Sequence, residues 1–326
     1  VSPLKPARGK AVPNLVDQLI ELHHLCFGKT VGTIPFSREY LQWFLSRPGL
    51  GCNHVFAMVK NRRLISSLFL TRIRIILNGY PVDAGIIDSL MTHPDYRQQG
   101  LASATLACAQ KVSREEGCAF SLLYTLPRDP QFSFYLKKGY FEYARLLHML
   151  RDEGNECPEP CPPFAFSHDM LRIFLNRRFK LTNGFIPLTP RQWAWRKCRR
   201  PSSVPARIFS VGDSRLQATL TAAITDIVLS DGLGTTCFIS DWAATEKHAA
   251  EEVIRLALSE TPSKIKVDVP VCSLDYEKQE ILKRLGFFSV AEDVLMIYPL
   301  HEKALSLLRS QCNRPWYTLL ESTIGA

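Results

Sequence analysis

No stretch of this sequence is apolar for long enough to cross a bilayer, and none is of low complexity. Residues 1–13 hold two lysines, an arginine and three prolines but no apolar segment, so no secretory signal is visible there. The cysteines lack the pairing that a metal site needs. Of the ten, only Cys157 and Cys161 are close neighbours, set among Pro158, Pro160, Pro162 and Pro163. A zinc site would require two further ligands at matching spacing. No metal is therefore expected, and most of the cysteines, in apolar surroundings, read as small hydrophobes in a reducing, cytoplasmic setting. Also missing are surface aromatics interleaved with the basic residues and any recognisable module for reading bases, which argues against a nucleic-acid partner.

What is present is an ordinary globular composition with a charge bias. The chain has 326 residues, 46% of them hydrophobic and 22% charged, a length that favours two domains. Its formal net charge of +9 favours anionic partners. The basic residues gather loosely at Arg177-Arg178, Arg196-Lys197 and Arg199-Arg200, which reads as a solvated basic face. Nothing in the sequence sets an oligomeric state.

Hydrophobic periodicity gives the order α-α-β-β-β-α-β-α-β up to Leu150. A helix is expected over 12–26, with Leu15, Leu19, Leu22 and Cys26 on one stripe. A second starts at Ser37, a suitable N-cap, and ends before Pro48-Gly49. Strands over 55–60, 64–77 and 82–92 come next, the last two joined by the hairpin signal Asn78-Gly79. Then come a helix over 101–116 closed by Gly117, a strand over 119–126, a helix over 131–138 and a strand over 141–150. Antiparallel strands thus lead into a parallel β-α-β unit.

The junction inside that unit carries the most information. Leu90-Met91-Thr92-His93-Pro94-Asp95-Tyr96-Arg97-Gln98-Gln99-Gly100-Leu101-Ala102 reads as a strand end, a loop and a helix start. Gly100 and Ala102 keep side-chain bulk away, so main-chain N–H groups can converge on one spot. The helix adds its own unpaired N–H groups and the positive end of its dipole. Such a loop suits a phosphate or pyrophosphate.

Beyond the acid- and proline-rich 152–164, read as a linker, the order of elements repeats. Trp43 with Arg47-Pro48 is echoed by Trp195 with Arg200-Pro201, and Phe134-Tyr135-Leu136-Lys137-Lys138-Gly139-Tyr140 by Ile281-Leu282-Lys283-Arg284-Leu285-Gly286-Phe287. Strands over 207–211, 217–229, 236–241 and 264–271 and helices over 246–259 and 275–285 take the corresponding places. The copies differ at the loop. Where the first has Arg97-Gln98-Gln99-Gly100-Leu101-Ala102, the second has Trp242-Ala243-Ala244-Thr245-Glu246-Lys247, without the glycine. Glu246 there would place negative charge near the helix N-terminus, which favours the helix and disfavours a phosphate.

The Arg-x-x-Gly-x-Ala loop after Leu-Met-Thr-His-Pro resembles motif A of the GCN5-related N-acetyltransferases (GNATs), and Phe134 to Tyr140 resembles their motif B. The element order over 13–150 is similar to that fold, and 165–300 resembles a second, degenerate copy, as in mycothiol synthase. The resemblance implies an α/β (α+β) fold class with two tandem GNAT-like domains, each a mixed, mostly antiparallel twisted sheet flanked by helices. The expected bounds are 1–151 for the N-terminal domain, 152–164 for the linker and 165–326 for the degenerate domain.

The resemblance also implies roles. Main-chain groups of Leu90, Met91 and Thr92 would pair with the pantetheine arm of acetyl-CoA where two parallel strands splay apart. Those of Gln98, Gln99, Gly100, Leu101, Ala102 and Ser103 would hold its pyrophosphate, with Arg97 adding charge. Tyr135 matches a tyrosine that protonates the leaving thiolate in many members. Its other reading is an amphipathic core tyrosine. Asp88, two residues before Leu90 and on the same side of the strand, matches a position where some members carry a base. It could equally be structural, and His93 is a weaker candidate. One departure is Arg128, which stands where an asparagine often precedes motif B.

The implied function is acetyl-CoA-dependent N-acetyl transfer to a primary amine by direct transfer in a ternary complex. The N-terminal copy would bind the cofactor and the C-terminal copy would shape the acceptor pocket. The basic balance fits an acceptor with an anionic group, although the cofactor is itself anionic enough to account for part of it. Two alternatives stay open: a transferase using another acyl donor, and a non-catalytic acyl-CoA sensor or scaffold.

Overall fold

The computed structural model describes residues 6–127, 129–152, 165–309 and 314–318. Arg128 and nearly all of the expected linker lie outside these. The first half opens with a two-residue strand, β1 (Ala7–Arg8), followed by α1 (Leu15–Phe27) and α2 (Arg38–Leu45). Ser37 caps α2 as its sequence predicts, its hydroxyl accepting from the Tyr40 N–H at 3.0 Å. Next come β2 (Val55–Lys60), β3 (Arg63–Leu77), β4 (Tyr80–Thr92), α3 (Leu101–Glu115), β5 (Phe120–Thr125), α4 (Pro130–Lys137) and β6 (Phe141–Arg151). At the tip between β3 and β4, Asn78 and Gly79 have φ of 53° and 79°, the left-handed pair that a type I′ hairpin needs.

The second half runs α5 (His168–Arg178), α6 (Pro190–Trp193), β7 (Ala206–Gly212), β8 (Leu216–Leu229), β9 (Gly232–Ala244), α7 (Lys247–Ser259), β10 (Lys266–Cys272), α8 (Tyr276–Arg284) and β11 (Phe288–Pro299). From β7 to β11 it repeats the order from β2 to β6. A last helix, α9 (Glu302–Arg309), has no counterpart in the order expected from the sequence.

All of the strands join one mixed, mostly antiparallel sheet in the order β1-β2-β3-β4-β5-β11-β6-β10-β9-β8-β7. Two copies placed side by side would pair β5 with β6 and β10 with β11. Here the terminal strands are exchanged instead. β11 lies against β5, with Leu295 opposite Tyr124, and β6 lies against β10, with Met149 opposite Val269. β6 and β11 pair with each other at the centre, and their register is itself two-fold: Phe141 faces Ile297 and Phe288 faces Leu150. The sheet is therefore continuous across the halves, and each half's last strand completes the other.

Helices cover both faces. In the first half α3 and α4 bury Leu106, Ala109 and Tyr135 against Leu68, Ile87 and Leu123. On the other face α1 and α2 bury Leu19, Leu41 and Phe44 against Phe69 and Met91, and Trp195 joins them from the second half.

The repeated landmarks meet there. Trp43 and Trp195 stack at 4.7 Å between centroids, and each indole N–H donates to the other's main-chain carbonyl, at 3.1 and 2.9 Å. Arg47 lies over the Trp195 ring at 5.5 Å and Arg200 over the Trp43 ring at 5.2 Å. In sequence Arg200 is one residue farther from its tryptophan than Arg47 is. A π-turn over Ala194–Cys198, closed by the Arg199 N–H on the Ala194 carbonyl at 2.9 Å, absorbs the extra residue.

Candidate active site

The site begins as a defect in β4. Between the pairs Phe69–Asp88 and Ser67–Met91 this strand carries one more residue than β3, and Ser89 takes a φ of 49°. That is a β-bulge, which bends the strand and re-aims the residues beyond it. On its other side β4 pairs in parallel with β5 only from Ala84 to Ile86, against Phe120 to Leu122. Beyond Ile86 the two strands part, leaving a gap edged by the main chain of Leu90, Met91 and Thr92.

The loop after β4 turns tightly. His93 is consumed by this turn: its N–H donates to the Ile65 carbonyl at 2.9 Å, and its Nδ1 accepts from the Asp95 N–H at 3.3 Å. The exposed Arg97 reaches back to the Thr92 carbonyl at 3.3 Å. Gln98 and Gly100 both have positive φ, 61° and 77°. At Gly100 a side chain would meet no atom within 4 Å, so the glycine is required by conformation rather than by space. No side chain caps α3 and no acidic residue stands in its first turn. Its first internal hydrogen bond is Ala104 N–H to the Gly100 carbonyl, so the N–H groups of Leu101, Ala102 and Ser103 precede the ladder. Leu101 anchors the turn by packing on Met58 and Ile65. Gln99 and Gly100 lie exposed beside it. Uncapped N–H groups at a helix start with no acidic residue in its first turn are what a pyrophosphate needs.

Asp88 and Tyr135 flank the gap from opposite faces of the sheet. Asp88 faces the α1–α2 layer and is 5% exposed. Its Oδ2 accepts from Arg47 Nη1 at 3.1 Å, and that guanidinium lies over Phe44 and Trp195. Arg47 enters the sequence reading only as a landmark of the repeat; no spacing rule pairs it with Asp88, although a buried carboxylate requires a cation or donors. Tyr135, on α4, is buried on the α3–α4 face, its ring edge-on to Phe134 and Tyr140. Burial, then the neighbouring Tyr140, Asp129 and Asp88, pushes its phenol far above the usual range. The hydroxyl is therefore held protonated, and among the described residues it has no hydrogen-bond partner.

The second half keeps the backbone and loses the loop. β9 carries the same bulge, with Asp241 at φ 52°, and pairs with β10 only from Thr236 to Phe238. No left-handed glycine precedes α7. Glu246 stands at its N-cap position, but its side chain makes no capping hydrogen bond, so the expected capping is not formed.

A family profile described as an acetyltransferase (GNAT) domain matches residues 10–144. No curated protein is detectably similar in sequence. Among solved structures, a GCN5-related N-acetyltransferase from Anabaena variabilis matches with a TM-score of 0.65 at 18% identity, over 91% of this chain and 73% of that one. A probable N-acyltransferase from Enterococcus faecalis gives 0.64 at 12% identity, over 93% and 74%. Saccharomyces cerevisiae N-myristoyltransferase, solved with myristoyl-CoA, gives 0.69 at 10% identity, over 91% and 83%. At these identities the likeness is one of fold, and it spans both halves. The profile match thus marks residues 10–144 as a GNAT acetyltransferase domain, and the chain as a whole shares its fold with these acyltransferase structures.

Proposed function

We propose that this protein is a cytoplasmic, acetyl-CoA-dependent N-acetyltransferase acting on a primary amine by direct transfer, with a single cofactor site in the first half. The observation that carries this reading is the gap between β4 and β5, with a protonated phenol on one face, a carboxylate on the other and an uncapped helix N-terminus at its mouth. In this reading the main chain of Leu90, Met91 and Thr92 pairs with the pantetheine arm. The N–H groups from Gln98 to Ser103 hold the pyrophosphate, with Arg97 contributing charge.

The thioester then lies in the gap, its carbonyl polarised by a β4 N–H. The amine approaches from the α1–α2 face, where Asp88 draws the ammonium in and takes its proton. As the C–N bond forms and the C–S bond breaks, Tyr135 gives its proton to the departing thiolate and regains one from the proton that the nitrogen sheds as it becomes an amide. Arg47 fixes the orientation of Asp88, and through Trp195 the second half holds Arg47.

The test is binding and turnover by wild type and Gly100→Glu. The substitution forces a strained left-handed residue and a negative charge onto the loop. Acetyl-CoA Kd should rise at least about tenfold and CoA release should fall with it. Unchanged binding would overturn the assignment of this loop. Turnover compared between acetyl-CoA and longer acyl-CoA donors decides the acyl group.

A further inference from the structure

The gap between β9 and β10 is not left open. The exposed Arg314 and Pro315 lead into two buried aromatic residues, Trp316 and Tyr317. The Tyr317 N–H donates to the Asn183 carbonyl at 2.7 Å, and its ring lies edge-on to Phe179 at 5.0 Å and Phe185 at 5.1 Å. Its hydroxyl donates to Asp241, the bulge residue of β9, and accepts from Arg196 at 3.3 Å. Trp316 donates through Nε1 to the Tyr124 hydroxyl at 3.2 Å. Its seat excludes any side chain at position 184, since a Cβ on Gly184 would come within 2.3 Å of the indole.

Beneath these rings a pocket remains between the strands, lined by Ser240, Asp241, Val271 and Cys272. The Ser240 hydroxyl there is buried without a partner among the described residues. By register Ser240 holds on β9 the place of Asp88 on β4: Thr221 faces Ser240 as Phe69 faces Asp88. Cys272 lines this pocket together with Trp316. An open groove lined by Ala244, Glu246, Lys278 and Pro315 runs up to the same place.

We infer that the splayed β9–β10 gap is a second binding slot whose resident ligand is the chain's own segment 315–318. The segment stands on the face from which, in the first half, Asp88 looks across its gap. It is seated by side-chain hydrogen bonds, ring contacts and an isolated bridge between Trp316 and Asn183, with no ladder to any strand of the sheet, so it forms a unit that leaves without dismantling the sheet. The second half is thus closed to an outside ligand by occupation, in addition to lacking the glycine loop. This inference is independent of the reaction proposed for the first half.

Cys272 provides the readout. It is buried under the segment, whereas Cys237, equally buried on β9, faces the α7 core on the opposite side. Cys52 and Cys198 are exposed and serve as internal standards. The rate of N-ethylmaleimide addition at each cysteine is followed by mass spectrometry in the full chain, for wild type, Tyr317→Phe and Tyr317→Ala. Losing a hydrogen bond to a charged group shifts a local opening equilibrium by roughly tenfold or more, so Cys272 should label about tenfold faster in Tyr317→Phe and faster still in Tyr317→Ala. Cys237 should stay at its wild-type rate in both. Cys272 remaining at the wild-type rate in Tyr317→Phe overturns the inference. So does a parallel rise at Cys237 and Cys272, which would make the segment an inseparable part of the core. Tyr317→Phe keeps the ring and decides the matter if the alanine variant does not fold.

Discussion

Two buried histidines have opposite electrostatic fates, and each predicts its own pH dependence. His23 lies face to face with Phe36 at 3.7 Å, and its Nε2 has no partner among the described residues. Burial, and then the charge of His24, lowers its pKa to about 3. An unfolded histidine near 6.5 accepts a proton that the folded one refuses, so this group removes stability as pH falls below about 6.5. His148 is also buried, which opposes its charge, but Asp268 at 2.7 Å and Asp293 at 3.0 Å outweigh that and raise its pKa well above 6.5. Its stabilisation is complete below about 6.5 and is lost as pH rises through the raised value. Denaturation midpoints against pH should therefore show a flatter acid limb in His23→Leu. His148→Gln should lose most near pH 6 and approach wild type in alkali; a constant deficit would mean that the imidazolium is not what the carboxylates hold. Tyr135→Phe tests chemistry at the same scale. Because the hydroxyl bonds no described residue, stability and acetyl-CoA binding should be unchanged while kcat falls on the order of 100-fold. An unchanged kcat would remove Tyr135 as the proton donor.

At the scale of elements, the exchange of β6 and β11 ties the first half's site to the far end of the chain. Val294 and Met296 of β11 are fully buried in the core that carries Tyr135 and Tyr140. Met296→Ala should thus cost roughly 2–5 kcal/mol in chemical denaturation. It should also lower acetyl transfer while the protein is still folded, although Met296 lies outside the matched domain. A Met296→Ala variant with full activity would mean that α4 is held without β11. The element order, the Ser37 cap and the Asn78-Gly79 hairpin were legible in the sequence because each is set by neighbouring residues, whereas Gly100 was read for its lack of bulk and is required instead by its left-handed φ. The exchange was not. β6 offers the same alternating pattern to β5 as to β10, and β11 to β10 as to β5, so the pattern is satisfied in either arrangement. The partners of His148 lie 120 and 145 residues away, and Arg47 is 41 residues from Asp88, separations over which no local signal operates. At the candidate site, the loop and Tyr135 could be found from motifs, whereas the ion pair behind Asp88 needed the packed structure.

Over the whole molecule the two halves are related by an approximate two-fold relation that passes between β6 and β11 and through the Trp43–Trp195 stack. Each indole both covers and hydrogen-bonds the other, so the pair behaves as one unit and single substitutions should not add. The two N–H···O bonds are separate and their losses add, but either substitution weakens the one shared ring stack, so the coupling comes from the stack. A double-mutant cycle of Trp43→Phe and Trp195→Phe should therefore return a coupling of about 1 kcal/mol, within the range for stacked aromatic pairs and neighbouring residues. The same contact carries a functional consequence, because Arg47 rests on Trp195 while it holds Asp88. Trp195→Ala, a change wholly within the second half, should raise KM for the amine and lower kcat/KM by about tenfold. It should leave acetyl-CoA Kd unaltered, since the start of α3 is anchored on Met58 and Ile65, in a cluster separate from the tryptophans. A loss of acetyl-CoA affinity in step with kcat/KM would show instead that the halves support each other only through stability. With the amine side alone affected, the second half is part of the first half's acceptor site by way of a single guanidinium.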